Sequence, residues 1–267
     1  RVMSLLNSAP SVAGLDRRDF LRLTTLAGSG LFLGSFLRLS ADTAEIEAHM
    51  REQEGFDKCD REHFDALLHG CIDGAAALGL APSSGQIDTL LAYLELLAKW
   101  NRIYNLTAIR DPARMLTQHL LDSLSVIAPL CRWSDGQAKR LLDVGSGAGL
   151  PGVVIATLIP AFDVTCVDAV GKKASFVQQA AAELGLRNLH ARHARVESLV
   201  GESFDLVASR AFATLAEFTA LTRHLLAPGG EWLAMKGKHP TNEIGALPAS
   251  ITVFHVEQVH VPGPDAD

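Results

Sequence analysis

Cysteine is scarce in this chain. The four residues, Cys59, Cys71, Cys131 and Cys166, form no Cys-x-x-Cys spacing and have no paired histidines nearby in sequence. That excludes the usual patterns of a zinc site or a disulfide framework and predicts reduced, buried thiols. No apolar run is long enough to cross a bilayer, which takes about 20 residues. The longest candidate, Leu23 to Leu37, has fifteen. No internal repeat or low-complexity tract interrupts the chain, which argues against a solenoid or a disordered linker. What is present is 267 residues with 48% hydrophobic content, enough to bury a sizeable core.

The net charge is -6, unevenly spread. Asp42 to Asp65 holds nine acids against three bases, whereas Arg132 to Lys238 holds twelve bases against ten acids. The second half therefore permits an anionic partner. Residues 1–49 read as a leader. Arg17-Arg18-Asp19-Phe20-Leu21 before an apolar stretch resembles a twin-arginine export signal, although no Ala-x-Ala cleavage site follows. The alternative is an extraneous segment: the chain starts with Arg1, and Met50 is a candidate start. Residues 50–130 read as a helical region. Glu62 to Leu78 is a helix, and the spacing of Ile87, Leu90, Leu91, Leu94, Leu97 and Ala98 lays a stripe on a second. Asp111-Pro112 starts a third that is expected to reach about Ala128. Between them Lys99 to Thr107 reads as a connector that either stacks on RNA or anchors helices through Trp100 and Tyr104.

From residue 131 the pattern changes. Leu141-Leu142-Asp143-Val144-Gly145-Ser146-Gly147-Ala148-Gly149-Leu150-Pro151-Gly152 joins an apolar strand to a helix through a loop almost without side chains. Such a loop lets backbone lie against a ligand. A pyrophosphate-binding loop would read Gly-x-Gly-x-x-Gly, and a carboxylate beside it would repel phosphate. Here Gly145, Gly147 and Gly149 alternate behind Asp143, which suits a ligand with positive charge. S-adenosylmethionine, with its ammonium and sulfonium groups, is such a ligand. A second strand, Phe162 to Val167, closes on Asp168, placed to grip a ribose diol.

Beyond it, strands and helices alternate. Lys172 to Leu184 reads as a helix, Asn188 to Ala191 and Phe204 to Ser209 as strands, and Thr214 to Leu226 as a helix. Pro228-Gly229-Gly230 reads as a turn into a strand from Glu231 to Lys236, and Ile251 to Val261 as one strand more. This βα alternation predicts an α/β fold with a parallel, Rossmann-like sheet.

Several motifs in one order then carry a resemblance. They are Trp100-Asn101-x-x-Tyr104-Asn105-Leu106-Thr107, Arg110-Asp111-Pro112, His119-Leu120-Leu121-Asp122-Ser123-Leu124, the glycine loop, Gly171-Lys172-Lys173, Arg195-Val196-Glu197, Ser209-Arg210-Ala211-Phe212 and Met235-Lys236-Gly237. Together, from about Cys71 to Pro264, they resemble the bacterial 16S ribosomal RNA guanine-N7 methyltransferases, the glucose-inhibited division protein B family. The resemblance implies a class I S-adenosylmethionine-dependent methyltransferase domain over residues 131–267. It implies a cytoplasmic monomer, without metal or stable membrane association, whose partner is 16S rRNA in the small ribosomal subunit. It places the methyl donor at Gly145 and Leu150, at Val196-Glu197 and at Arg210, beside Asp143, Gly147, Gly149 and Asp168. Arg210 could instead pair with a carboxylate of the fold or meet an RNA phosphate.

Guanine N7 carries a lone pair and no proton, so no general base is required, and the chain has no Asn/Asp-Pro-Pro-Tyr/Phe element of the kind used to hold an exocyclic amine. His119 and Asp122, three apart on a helix, could merely pair locally. Lys172, Lys173, Arg192, Arg195, Lys236 and Lys238 are the candidate phosphate contacts. Family members continue past Val261-Pro262-Gly263 into a last strand that this sequence does not include, and exposed strand edges are the expected result. A methyltransferase acting on another RNA, a small molecule or a protein, and a non-catalytic RNA-binding factor, are the alternatives.

Overall fold

The computed structural model describes residues 58–259, 261 and 262; the leader, Met50 and the last residues lie outside the described part of the chain. The central strands form over mostly apolar segments that are buried along most of their length. β1 (Lys139–Val144), β2 (Phe162–Asp168), β3 (Leu189–His193), β4 (Phe204–Arg210) and β5 (Leu226–Met235) make one sheet in the order β3-β2-β1-β4-β5. Every pairing is parallel, with Leu142 opposite Thr165 on one side and Val207 on the other. This is the parallel, Rossmann-like sheet the alternation predicts. Strand order reverses at β1, whose neighbours are β2 and β4, and the crevice beyond the carboxyl ends of β1 and β4 is where such sheets bind ligands.

Side chains alternate between the two faces. Leu141, Val164, Cys166, Leu206 and Ala208 pack into one core, whereas Leu142, Val144, Val167, Val207 and Phe218 pack into the other. The first core is covered by α1 (Lys58–Ala77), α2 (Ser84–Tyr104), α5 (Gly152–Leu158) and α6 (Gly171–Glu183). α2 begins at a capping box: the Ser83 hydroxyl accepts from Gln86 N at 3.3 Å and the Gln86 side chain accepts from Ser83 N at 2.9 Å. Of its expected stripe, Ile87, Leu90, Leu91, Leu94 and Leu97 are buried, and Ala98 is partly buried against the same core.

α2 runs further than expected. Trp100 to Tyr104 belongs to the helix rather than to a connector, and the chain leaves it at Asn105, a left-handed cap with φ of 48°. Packing holds the last turn: Trp100 lies 5.6 Å from the Phe176 ring of α6 and 5.1 Å from Tyr104. The buried Asn101 side chain accepts from Thr107 N and donates to Ile109 O. Trp100 is therefore an anchor between helices.

The helix at Asp111-Pro112 starts as expected, with the Asp111 carboxylate accepting from Arg114 N at 2.8 Å. It does not run evenly to Ala128. An α turn, Pro112–Met115, passes into a π segment, Leu116–Leu121, and a short α turn, Asp122–Leu124; these form α3, and α4 is Ile127–Ser134. Such wide turns concentrate at functional sites.

Two expectations at the C-terminal end are corrected. α7 is Leu215–Thr222, followed by a 3-10 turn, and β5 starts at Leu226, ahead of Pro228-Gly229-Gly230. The strand absorbs these residues as an irregularity, because pairing jumps from Phe204 opposite Leu226 to Leu206 opposite Glu231. Of the strand expected over Ile251 to Val261, the described residues form none. Residues 251–259 make no ladder, and Val253, Phe254, Val256 and Val259 are exposed. Among the described residues no strand lies on the outer edge of β5 to pair with. After β5 the structure also forms α8 (Thr241–Gly245).

Candidate functional site

The glycine loop leaves β1 at the reversal point and is tied down by main-chain bonds. Gly145 N and Ser146 N donate to Val167 O at the end of β2, and Gly149 N and Leu150 N to Ser146 O. Gly145 has φ of 65°, and a Cβ there would stand 2.5 Å from the Phe212 ring. Gly147 has φ of 61° and faces open space, with only Gly145 O as near as 4.0 Å to where a Cβ would be. That open face is where a ligand can lie on main chain. Leu150 contributes backbone only, since its side chain is in the core. The loop is braced from below by Tyr93 of α2, whose hydroxyl donates to Ala148 O at 2.8 Å.

Asp143 sits under this loop, fully buried. Its Oδ2 accepts from Gly152 N at 2.9 Å and from the Cys166 thiol at 3.9 Å, while Oδ1 has no partner. Burial pushes its pKa up to about 6, against the Gly152 N–H and the Arg210 guanidinium, which favour the anion. Ser146 Oγ is a second buried oxygen without a partner. Asp168 stands beside the loop: Oδ2 accepts from Gly147 N at 3.0 Å and Oδ1 from Val170 N at 2.8 Å. Each oxygen keeps a further lone pair, which is what a vicinal diol needs.

A pH dependence follows from Asp143. Folding raises its pKa from the ordinary 3.8 to about 6, so the folded chain holds the proton more tightly than the unfolded one. The resulting stabilisation is complete below about pH 4 and is lost as pH rises through 6. At neutral pH the fold carries a buried charge, worth up to about 3 kcal/mol at 1.36 kcal/mol per pKa unit. Urea unfolding of the chain and of Asp143→Asn at pH 5 and pH 7.5 checks this. The midpoint of the natural chain is expected to fall relative to the variant as pH rises; parallel shifts would contradict it.

Arg210 is bonded to the fold. Its guanidinium donates to Asp122 Oδ2 at 2.8 Å and to Gln118 O at 3.1 Å, both on α3. Asp122 thus pairs with Arg210 rather than with His119. The buried His119 bonds Thr107 Oγ1 at 2.9 Å, and burial lowers its pKa. Val196 is buried in the opposite core and Glu197 is exposed in the short turn after β3.

Of the candidate phosphate contacts, Lys172 donates to Tyr104 O at 2.7 Å, and Lys173 stands 3.9 Å from Asp168. Arg192 stands 3.9 Å from Glu202, and Lys236 bonds Ala213 O and Glu243. Arg195 and Lys238 are exposed. Sequence reasoning gave no role to Tyr93 or Phe212. Nothing in a helical stripe signals where a tyrosine hydroxyl ends, but an aromatic two residues past the end of β4 was a usable sign.

No cluster of three or more metal-ligating side chains occurs among the described residues, and none of their helices is long and apolar enough to cross a membrane. The family described as GidB, rRNA small subunit methyltransferase G, matches residues 86–266. A ribosomal RNA small subunit methyltransferase G from Acidovorax ebreus is 60% identical over 210 residues, covering 76% of this chain and 92% of that protein. One from Leptothrix cholodnii is 62% identical over 196 residues, covering 73% and 90%. With its class I methyltransferase sheet and its glycine loop at the strand reversal, the chain belongs to the rRNA small subunit methyltransferase G family.

Proposed function

We propose that this chain transfers a methyl group from S-adenosylmethionine to N7 of a guanine in 16S rRNA, as a cytoplasmic enzyme acting on the small ribosomal subunit. The observation that carries the reading is the bare loop over a buried carboxylate, with a second carboxylate at its side, at the carboxyl end of β1. The residues fit the donor. Gly145, Gly147 and Gly149 would present main chain to it, Asp143 sets a negative field beneath, and Asp168 keeps lone pairs for a ribose. Val196 and Glu197 would lie toward the adenine, with Leu150 closing the loop through its backbone.

When bound, the donor supplies an electrophilic methyl on sulfonium. The chain's own task is then to position the acceptor and keep its edge free. No general base is assigned, and the ionisable groups behind the loop suit that: His119 is held by Thr107, Arg210 by Asp122, and Asp143 by Gly152. Arg210 acts on the site through α3, orienting the end of β4. Arg195 and Lys238, exposed near strand ends, are the open cations for RNA phosphate, with Lys172, Lys173, Arg192 and Lys236 already engaged within the fold.

The test is transfer of labelled methyl from the donor to small ribosomal particles, large-subunit RNA and a mixture of metabolites and proteins in parallel. Label confined to the small-subunit RNA is expected. Label on metabolites or proteins alone would overturn the acceptor, and no label anywhere would favour a non-catalytic RNA-binding factor.

A further inference from the structure

One residue touching the glycine loop is not accounted for by the fold. Among the described residues, three other than glycine have positive φ: Asn105, Asp135 and Ala211. Asn105 and Asp135 end helices, where left-handed backbone is ordinary. Ala211, with φ of 52°, ends no helix and lies directly after β4, beside the strand reversal. A Cβ-bearing residue in this region is strained, and such strain persists where the surroundings enforce it.

The surroundings do so on both sides. Arg210 is held to α3 through Asp122 and Gln118 O, and Ala213 O is held by the Lys236 ammonium, itself paired with Glu243. Between these tethers the Phe212 ring is set edge-on to Phe218, at 6.4 Å and 73°, and against Gly145. Yet 37% of the residue is open. A side chain serving only to fill the core would be buried there.

We propose that Phe212 is the platform on which the acceptor guanine stacks; this rests on the reading of function given above. Bases taken out of RNA are held on aromatic faces. Stacking suits this acceptor because N7 lies in the plane of the purine, so a ring against its face leaves the reacting edge clear. In the transfer, the N7 lone pair forms the new N–CH3 bond as the S–CH3 bond breaks, and the donor leaves as a neutral thioether. The positive charge passes to the purine. An aromatic face favours a cation, so Phe212 holds the transition state more tightly than the neutral base.

The experiment compares the full chain with Phe212→Ala, Phe212→Leu and Phe212→Tyr, using S-adenosylhomocysteine titration and steady-state methylation of small-subunit ribosomal RNA. Leucine keeps apolar bulk against Gly145 and Phe218, and tyrosine keeps the π face. Cofactor affinity is expected to stay within twofold. The alanine and leucine variants should lose about 10- to 100-fold in kcat/KM, mostly in kcat, and tyrosine should stay within about threefold. Full activity in Phe212→Leu, or loss of cofactor binding in step with activity, would overturn the proposal. Failure of the unaltered chain to methylate this RNA would instead overturn the function on which it rests.

Discussion

Gly145→Val is expected to weaken binding of S-adenosylmethionine by at least about 100-fold, close to 2.7 kcal/mol, while leaving the sheet folded. Two costs combine. A side chain at φ of 65° meets the left-handed penalty of about 1–2 kcal/mol, and a β-branched one meets more. The new Cβ would also stand 2.5 Å from the Phe212 ring, so either that ring or the loop must move. If the loop moves, the bonds from Gly145 N to Val167 O and from Gly147 N to Asp168 go with it. Gly147→Ala separates the costs: its Cβ meets no protein atom nearer than 4.0 Å but enters the face on which the donor would lie, so a loss of at least about tenfold is expected without any clash against Phe212. Calorimetric titration with S-adenosylhomocysteine measures both, and circular dichroism checks the fold. Binding by Gly145→Val within threefold of the natural chain would contradict the assignment of the loop.

Phe176→Ala is expected to destabilise the chain by about 3–5 kcal/mol, the range for removing a fully buried phenylalanine. Phe176 of α6 is completely buried between Tyr93, with ring centres 6.2 Å apart, and Trp100. It is thus one of the contacts through which the N-terminal helices close on the sheet, beside the Tyr93 bond to Ala148 O and the Gln86 bond to Thr157 O. The loss should reach the site as well, because Tyr93 braces the glycine loop through Ala148 O. Urea unfolding gives the stability and the same titration gives the affinity. A change below about 1 kcal/mol would contradict the place given to Phe176 in this packing.

Much of this arrangement was legible in the residues, for identifiable reasons. β1, β2 and β4 are buried along most of their length, and such strands show as short, mostly apolar segments ending at turn residues. The glycine loop was legible because its spacing and its acid differ from a phosphate loop. The start of β5 was not, because Pro228-Gly229-Gly230 has turn chemistry but is carried inside the strand as an irregularity of pairing. Ile251 to Val261 has the composition of a strand, yet a strand exists only with a partner, and none lies beside it among the described residues. The partner of Arg210 is 88 positions away, so local spacing could not choose among a carboxylate, the donor and a phosphate. The depth of Asp143 was missed in a similar way. Its position in sequence indicated charge near a ligand, whereas its bond to Gly152 N makes it also the fastening between β1 and α5.

The most direct measurement is mass mapping of the nucleosides in small-subunit ribosomal RNA after incubation with the chain and S-adenosylmethionine. The account predicts N7-methylguanosine, arising from one site and absent when the donor is withheld. Methyl groups found on exocyclic amines or on ribose would contradict it, since those acceptors carry protons that this site has no assigned base to remove.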